Sequence, residues 1–164
     1  MPHQQTDPVL PDRISELLLQ KGETVAVAES VTAGHLQVAF SLAKNAMDFF
    51  QGGLTVYNVG QKTRHLQVDP IHALSCNCVS EQVAAQMARH VTELFLSDWG
   101  IAITGYASPV PEKDVQRLFA CYAIYSVQSG LTVGTVFAEN TSPPEVRRVY
   151  TDHVIKHFGE LLEK

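Results

Sequence analysis

Residues 24–44 read TVAVAESVTAGHLQVAFSLAK, and the break inside this stretch decides the fold. The apolar run Val25 to Ala28 is a short strand of the fully buried kind. It stops at Glu29-Ser30 and passes through Thr32, Ala33 and Gly34. A helical pattern over about 33–44 follows, with Leu36, Phe40 and Ala43 on one side. A buried strand that feeds a helix through small residues is a building unit of layered α/β domains. Ser30 is open to two roles. Ser30 or Thr32 caps the helix, as hydroxyl side chains commonly do. Alternatively, Ser30 is a nucleophile at the exposed strand end, where helix amides stabilise a nearby oxyanion.

Working outward, a loose polar arm is expected over 1–11, and DRISELLLQKG predicts a helix over 12–21 with Asp12 as cap and Gly22 as stop. GGLTVYN (52–58) reads as a second strand, followed by the polar helical piece GQKTRHLQV and another turn or two in DPIHALSC. Ser80 opens a helix in which Val83, Met87, Val91, Leu94 and Phe95 recur at the helical period. WGIAIT (99–104) is a third strand, ending in the loop GYASPVPEKDVQR. LFACYAIYSV and LTVGTVFAE flank QSG as an antiparallel hairpin. SPPEVRR starts a last helix, with Val146, Tyr150, Val154, Phe158 and Leu162 as its apolar stripe. The pattern predicts one α/β layered domain with a mixed sheet over 12–164.

Composition narrows the function classes. With 12 Lys and Arg against 17 Asp and Glu, the net charge of -5 opposes a nucleic-acid partner but allows a local anion pocket. No stretch has the ~18 apolar residues of a membrane span, and the N-terminus has no signal-peptide pattern. Cys76, Cys78 and Cys121 suit a reducing compartment, so a cytoplasmic protein is expected. No metal site is expected. His153 and His157 lie at i, i+4 in HVIKH but lack a third ligand nearby and read as a solvated helix flank; CNC at 76–78 is too isolated.

A serine nucleophile needs a base, and GxSxG is absent. VYNVGQK offers Lys62 instead, with Tyr57 five residues before it. A free lysine has a pKa of ~10.4, leaving roughly one part in a few thousand neutral at pH 7. As a base it must be buried or stand near another cation; otherwise it is a surface lysine on a polar turn. Tyr57 would relay a proton or orient the amine. AITGYASP repeats the strand-then-small-residue grammar, so Thr104 stands at a neighbouring strand end and Gly105 allows close backbone approach. A plain turn is the alternative.

Together, AESVTAG, GGLTVYNVGQK, VSEQVAAQMA and AITGYASP resemble, in order and interval, the motifs of the CinA C-terminal-domain family, the PncC-type nicotinamide-mononucleotide amidohydrolases. The resemblance covers about residues 12–160. It implies a three-layer α/β/α domain, a homodimer, and a small-molecule nucleotide substrate deamidated without a cofactor. It assigns Ser30 as nucleophile, Lys62 as general base and Tyr57 as assisting hydroxyl. Glu29, Val31, Thr32, Ala33, Gly34, Thr104 and Gly105 fall in the substrate-binding stretches, with amides of 31–34 as oxyanion donors. Arg64, Arg117, Arg147 and Arg148 are candidates for a phosphate. Val31 and Ala33 depart from the family's cysteine and first glycine, Tyr106 and Ser108 from its isoleucine and glycine. The glycine run expected in the loop 105–117 is absent. The polar catalytic set favours an enzyme; the rewritten loop favours a catalytically silent paralogue that binds a nucleotide or a partner.

Overall fold

The computed structural model describes residues 9–164, so the arm expected over 1–11 lies outside the described residues as far as residue 8. Helix α1 spans Val9–Lys21, starting before Asp12. Pro11 is tolerated because a first-turn N–H has no helical partner to lose. Asp12 is no cap: its carboxylate accepts from Lys44 N at 2.8 Å. Strand β1 is Val25–Glu29 and α2 is His35–Ser41. Left-handed backbone at Ala33 (φ 49) and Gly34 (φ 103) delays the helix beyond the expected 33. A short helix that the sequence pattern did not suggest, α3 (Ala46–Phe49), leads directly into β2, Phe50–Thr55. Strand β2 therefore ends before Tyr57. Asn58 is N-cap to α4 (Val59–Leu66), its Oδ1 accepting from Gln61 N at 3.0 Å. Then come α5 (Pro70–Ser75), α6 (Glu81–Phe95) and β3 (Trp99–Gly105). The hairpin β4 (Leu118–Ser126) and β5 (Gly130–Ala138) and the helix α7 (Pro143–Leu162) complete the chain.

The five strands form one sheet in the order β2-β1-β3-β4-β5. β1 is parallel to β2 and β3, while β4 and β5 are antiparallel, so the sheet is mixed as expected. Alternation along the strands sorts the core into two layers. Val25, Val27, Ile101, Ile103, Leu118 and Ile124 pack in the cluster formed with α1, α2 and α7. Ala26, Ala28, Ala102 and Ala123 pack in the cluster formed with α4, α5 and α6. The small residues let α6 lie close: a Cβ at Gly100 would run into Ala88 O. The fold is a three-layer α/β/α domain. Among the described residues, no helix is long and apolar enough to cross a membrane.

Candidate active site

β1 has a parallel neighbour on each side, and its carboxyl end is a place where ligands collect in open α/β sheets. Ser30 follows β1 directly. Its N–H donates to Ile103 O at 3.1 Å, and Val56 N–H donates to Glu29 O at 2.8 Å. The strand end is thus held from both sides.

Neither Ser30 nor Thr32 caps α2. The buried Glu29 carboxylate accepts from Leu36 N (2.8 Å) and Gln37 N (3.1 Å), from Thr32 Oγ1 (2.7 Å) and from Gln37 Nε2 (3.0 Å). The acid reaches over the connecting turn and takes orphan amides of the first helical turn, a stabilising place for a negative charge. Ser30 is left free for another partner.

That partner is Lys62. Its Nζ donates to Ser30 Oγ at 2.8 Å and to Val56 O at 3.1 Å, and the side chain is 1% exposed. α4 brings it there: Asn58 starts the helix, and Lys62 falls on the buried side with Leu66. Burial holds the amine below the ordinary lysine range, and the Cys78 thiol pulls in the opposite direction. A desolvated amine with a lowered pKa at hydrogen-bond distance from a hydroxyl is equipped to take its proton.

The pair opens into a cleft of about 520 Å³. Of the residues expected in the site, Ser30, Val31, Tyr57, Lys62, Thr104 and Gly105 line it; Glu29, Thr32, Ala33 and Gly34 do not. Glu29 and Thr32 are fully buried beneath it and act on the frame. Tyr57 is 62% exposed at the rim, beyond the end of β2, and among the described residues makes no hydrogen bond to Ser30 or Lys62. Thr104 Oγ1 donates to Cys78 O at 2.7 Å, tying β3 to the turn before α6. Gly105 serves strand pairing: a Cβ there would stand 2.5 Å from Ala120 Cβ and 2.7 Å from Phe119 O. Ala33 N–H is taken by Ser30 O at 3.1 Å, whereas the amides of Val31, Thr32 and Gly34 have no protein acceptor among the described residues. Of these three, Val31 is the one that lines the cleft beside Ser30.

Only one of the four arginines proposed from sequence reaches the cleft. Arg147 lines it, with Nε donating to Val31 O at 2.9 Å. Arg117 stacks on the Phe137 ring, 3.8 Å from its centroid, and Arg148 pairs with Glu145 and Asp152. Arg64 lies on α4 outside the lining. Three contributions escaped sequence reasoning because they depend on tertiary approach. They are the Val56 carbonyl, Lys113 on the wall, and the bridge from Asn77 Nδ2 to Tyr106 Oη at 3.2 Å. Asn77 sits in left-handed backbone (φ 51), a conformation that asparagine tolerates.

Residues 8–162 match the CinA C-terminal domain family. The chain belongs to this family. The CinA-like protein of Chlorobium chlorochromatii is 37% identical over 160 residues, covering 94% of this chain and 37% of that protein. The CinA-like protein of Synechocystis is 42% identical over 105 residues, 64% of this chain and 25% of that protein. The chain thus spans between a quarter and little over a third of these curated relatives. A competence or damage-inducible protein from Enterobacter asburiae superposes with a TM-score of 0.88 at 26% identity, over 97% of this chain and 99% of that one. A CinA superfamily protein from Enterobacter cloacae does so with a TM-score of 0.88 at 26% identity, over 99% and 95%. In this CinA C-terminal domain the altered loop is firmly anchored. Tyr150 Oη donates to Tyr106 O at 2.8 Å, and Tyr106 packs edge-on against Phe119 at 5.4 Å. Burial raises the Tyr150 pKa, which keeps the phenol a donor.

Proposed function

We propose that this domain is a Ser–Lys amidohydrolase that deamidates nicotinamide mononucleotide to nicotinate mononucleotide and ammonia. The observation that carries the proposal is the buried 2.8 Å hydrogen bond between Lys62 Nζ and Ser30 Oγ. The neutral amine takes the Ser30 proton as Oγ attacks the carboxamide carbon. The amide of Val31, which lines the cleft beside Ser30, receives the developing oxyanion. Lys62, now an ammonium, returns the proton to the leaving nitrogen, and ammonia departs. Water then attacks the acyl-enzyme with Lys62 again as base, freeing the acid and Ser30. Arg147 and Lys113 on the cleft wall supply cations for the phosphate. Tyr57 at the rim touches the ligand. The scheme calls on no cofactor, and a homodimer acting on a free nucleotide in the cytoplasm belongs to the same proposal.

The test is ammonia release from nicotinamide mononucleotide by the purified protein. Ser30→Ala is expected to lower the rate by on the order of 10³-fold or more, and Lys62→Ala by about 10²–10⁴-fold. Wild-type activity that survives Ser30→Ala removes the nucleophile. Nucleotide binding without ammonia leaves the silent binding paralogue, which the Tyr106–Asn77 bridge across the rewritten loop favours.

A further inference from the structure

One cluster of titratable side chains stands apart from the active cleft. His153 and His157 lie one turn apart on α7, beside its buried stripe. Both approach Tyr122 of β4. His157 Nδ1 is 2.8 Å from Tyr122 Oη, and His153 Nε2 is 3.3 Å from it. The imidazoles meet the phenol edge-on, with centroids 5.7 and 5.4 Å away. Gly134 of β5 makes room for the hydroxyl, since a Cβ there would stand 2.6 Å from it. Lys156 and Glu160 complete the rim of a cavity of about 290 Å³.

In the sequence the two histidines lacked a third donor; the fold brings one from the sheet. Among the described residues, no three His, Cys, Asp or Glu side chains gather as a metal site; the third polar group here is the Tyr122 phenol.

We propose that His153 Nε2, His157 Nδ1 and Tyr122 Oη bind a divalent first-row transition ion, with water completing its shell. Donor spacing carries the assignment. A tetrahedral ion with ligands at about 2.0–2.1 Å sets neighbouring donors about 3.3–3.4 Å apart, and an octahedral one about 2.9 Å apart. The observed separations from Tyr122 Oη, 3.3 and 2.8 Å, are those of hydrogen bonds and lie close enough to this range for an ion to take the place of the shared hydrogens. Two imidazoles suit copper(II) and zinc(II), with copper the tighter by the general order of affinities. On binding, the ion replaces the hydrogen shared in the cluster: the Tyr122 hydroxyl proton leaves to solvent and both imidazoles bind as neutral rings. The bound ion ties α7 to β4. None of these residues lines the active cleft.

The full chain is titrated at pH 7 with copper(II) sulfate and, separately, zinc sulfate, by calorimetry and by the visible spectrum of the copper complex. The tightest event is expected to take one ion per chain and to raise the melting temperature. His153→Ala and His157→Ala are each expected to weaken it by more than about 10-fold, the lower cost of losing even a group that only orients a ligand, while Lys156→Ala leaves it in place. Tyr122→Phe is expected to abolish a phenolate-to-copper charge-transfer band. Should Tyr122→Phe misfold, the two histidine variants carry the test alone. Copper bound as tightly by the double histidine variant as by the wild type overturns the site. So does a wild-type copper complex with no phenolate band.

Discussion

At the scale of single residues, Lys62 is the unusual one. It is a lysine only 1% exposed, with two oxygen partners for its amine at the cleft. Its value as a base follows from the discomfort of its charged form, because desolvation favours the neutral amine. The rate of amide hydrolysis should therefore climb with pH along a limb whose midpoint lies below the ordinary lysine value of ~10.4. A profile of kcat/KM against pH checks it. Lys62→Arg is expected to be as inactive as Lys62→Ala, because a guanidinium keeps its proton at any working pH. Recovery of activity by arginine would show that position 62 supplies only charge.

At the scale of elements, the connection from β1 to α2 depends on Glu29. Replacing it with alanine strands the amides of Leu36 and Gln37 and the hydroxyl of Thr32 in a buried place. We expect Glu29→Ala to cost about 2–4 kcal/mol in urea unfolding, since unpaired buried donors are costly. Glu29→Gln, which keeps one acceptor oxygen, should cost less. Equal, negligible losses in both would remove Glu29 as the cap. The same element shows what could be read without coordinates. Apolar runs and helical periods revealed every strand and the long helices, because these follow from local pattern, although β2 begins and ends earlier than the expected 52–58. The start of β2 at Phe50 and the helix Ala46–Phe49 were hidden, as aromatic residues there serve either element. In the site, the motif resemblance pointed to Ser30 and Lys62. Glu29 was expected in the substrate-binding stretch, but its carboxylate is taken up by Thr32, Leu36 and Gln37, whereas Gly105 lines the cleft as expected and also packs tightly against β4.

At the scale of the whole molecule, the buried lysine weighs on stability. Between its lowered folded pKa and the ordinary ~10.4, the unfolded chain holds a proton there that the folded chain lacks, so stability rises with pH through that window. Lys62→Met lacks this contribution. The unfolding free energy of the wild type should gain on that of Lys62→Met from the lowered value up to about pH 10, at up to about 1.4 kcal/mol per pH unit. Urea titrations at pH 7, 8.5 and 10 measure it, and a constant difference would mean that the amine is buried without penalty. The ladder around Glu29 and Ser30 has a kinetic corollary. Ile103 O holds the Ser30 backbone, and Glu29 O holds Val56, whose own carbonyl tethers the Lys62 amine. The spacing of alcohol and amine is therefore set by backbone hydrogen-bonded at the ends of the strands. Nothing has to close to assemble the reacting pair, so viscous solvents that slow loop motion should act only on the entry and exit of ligands.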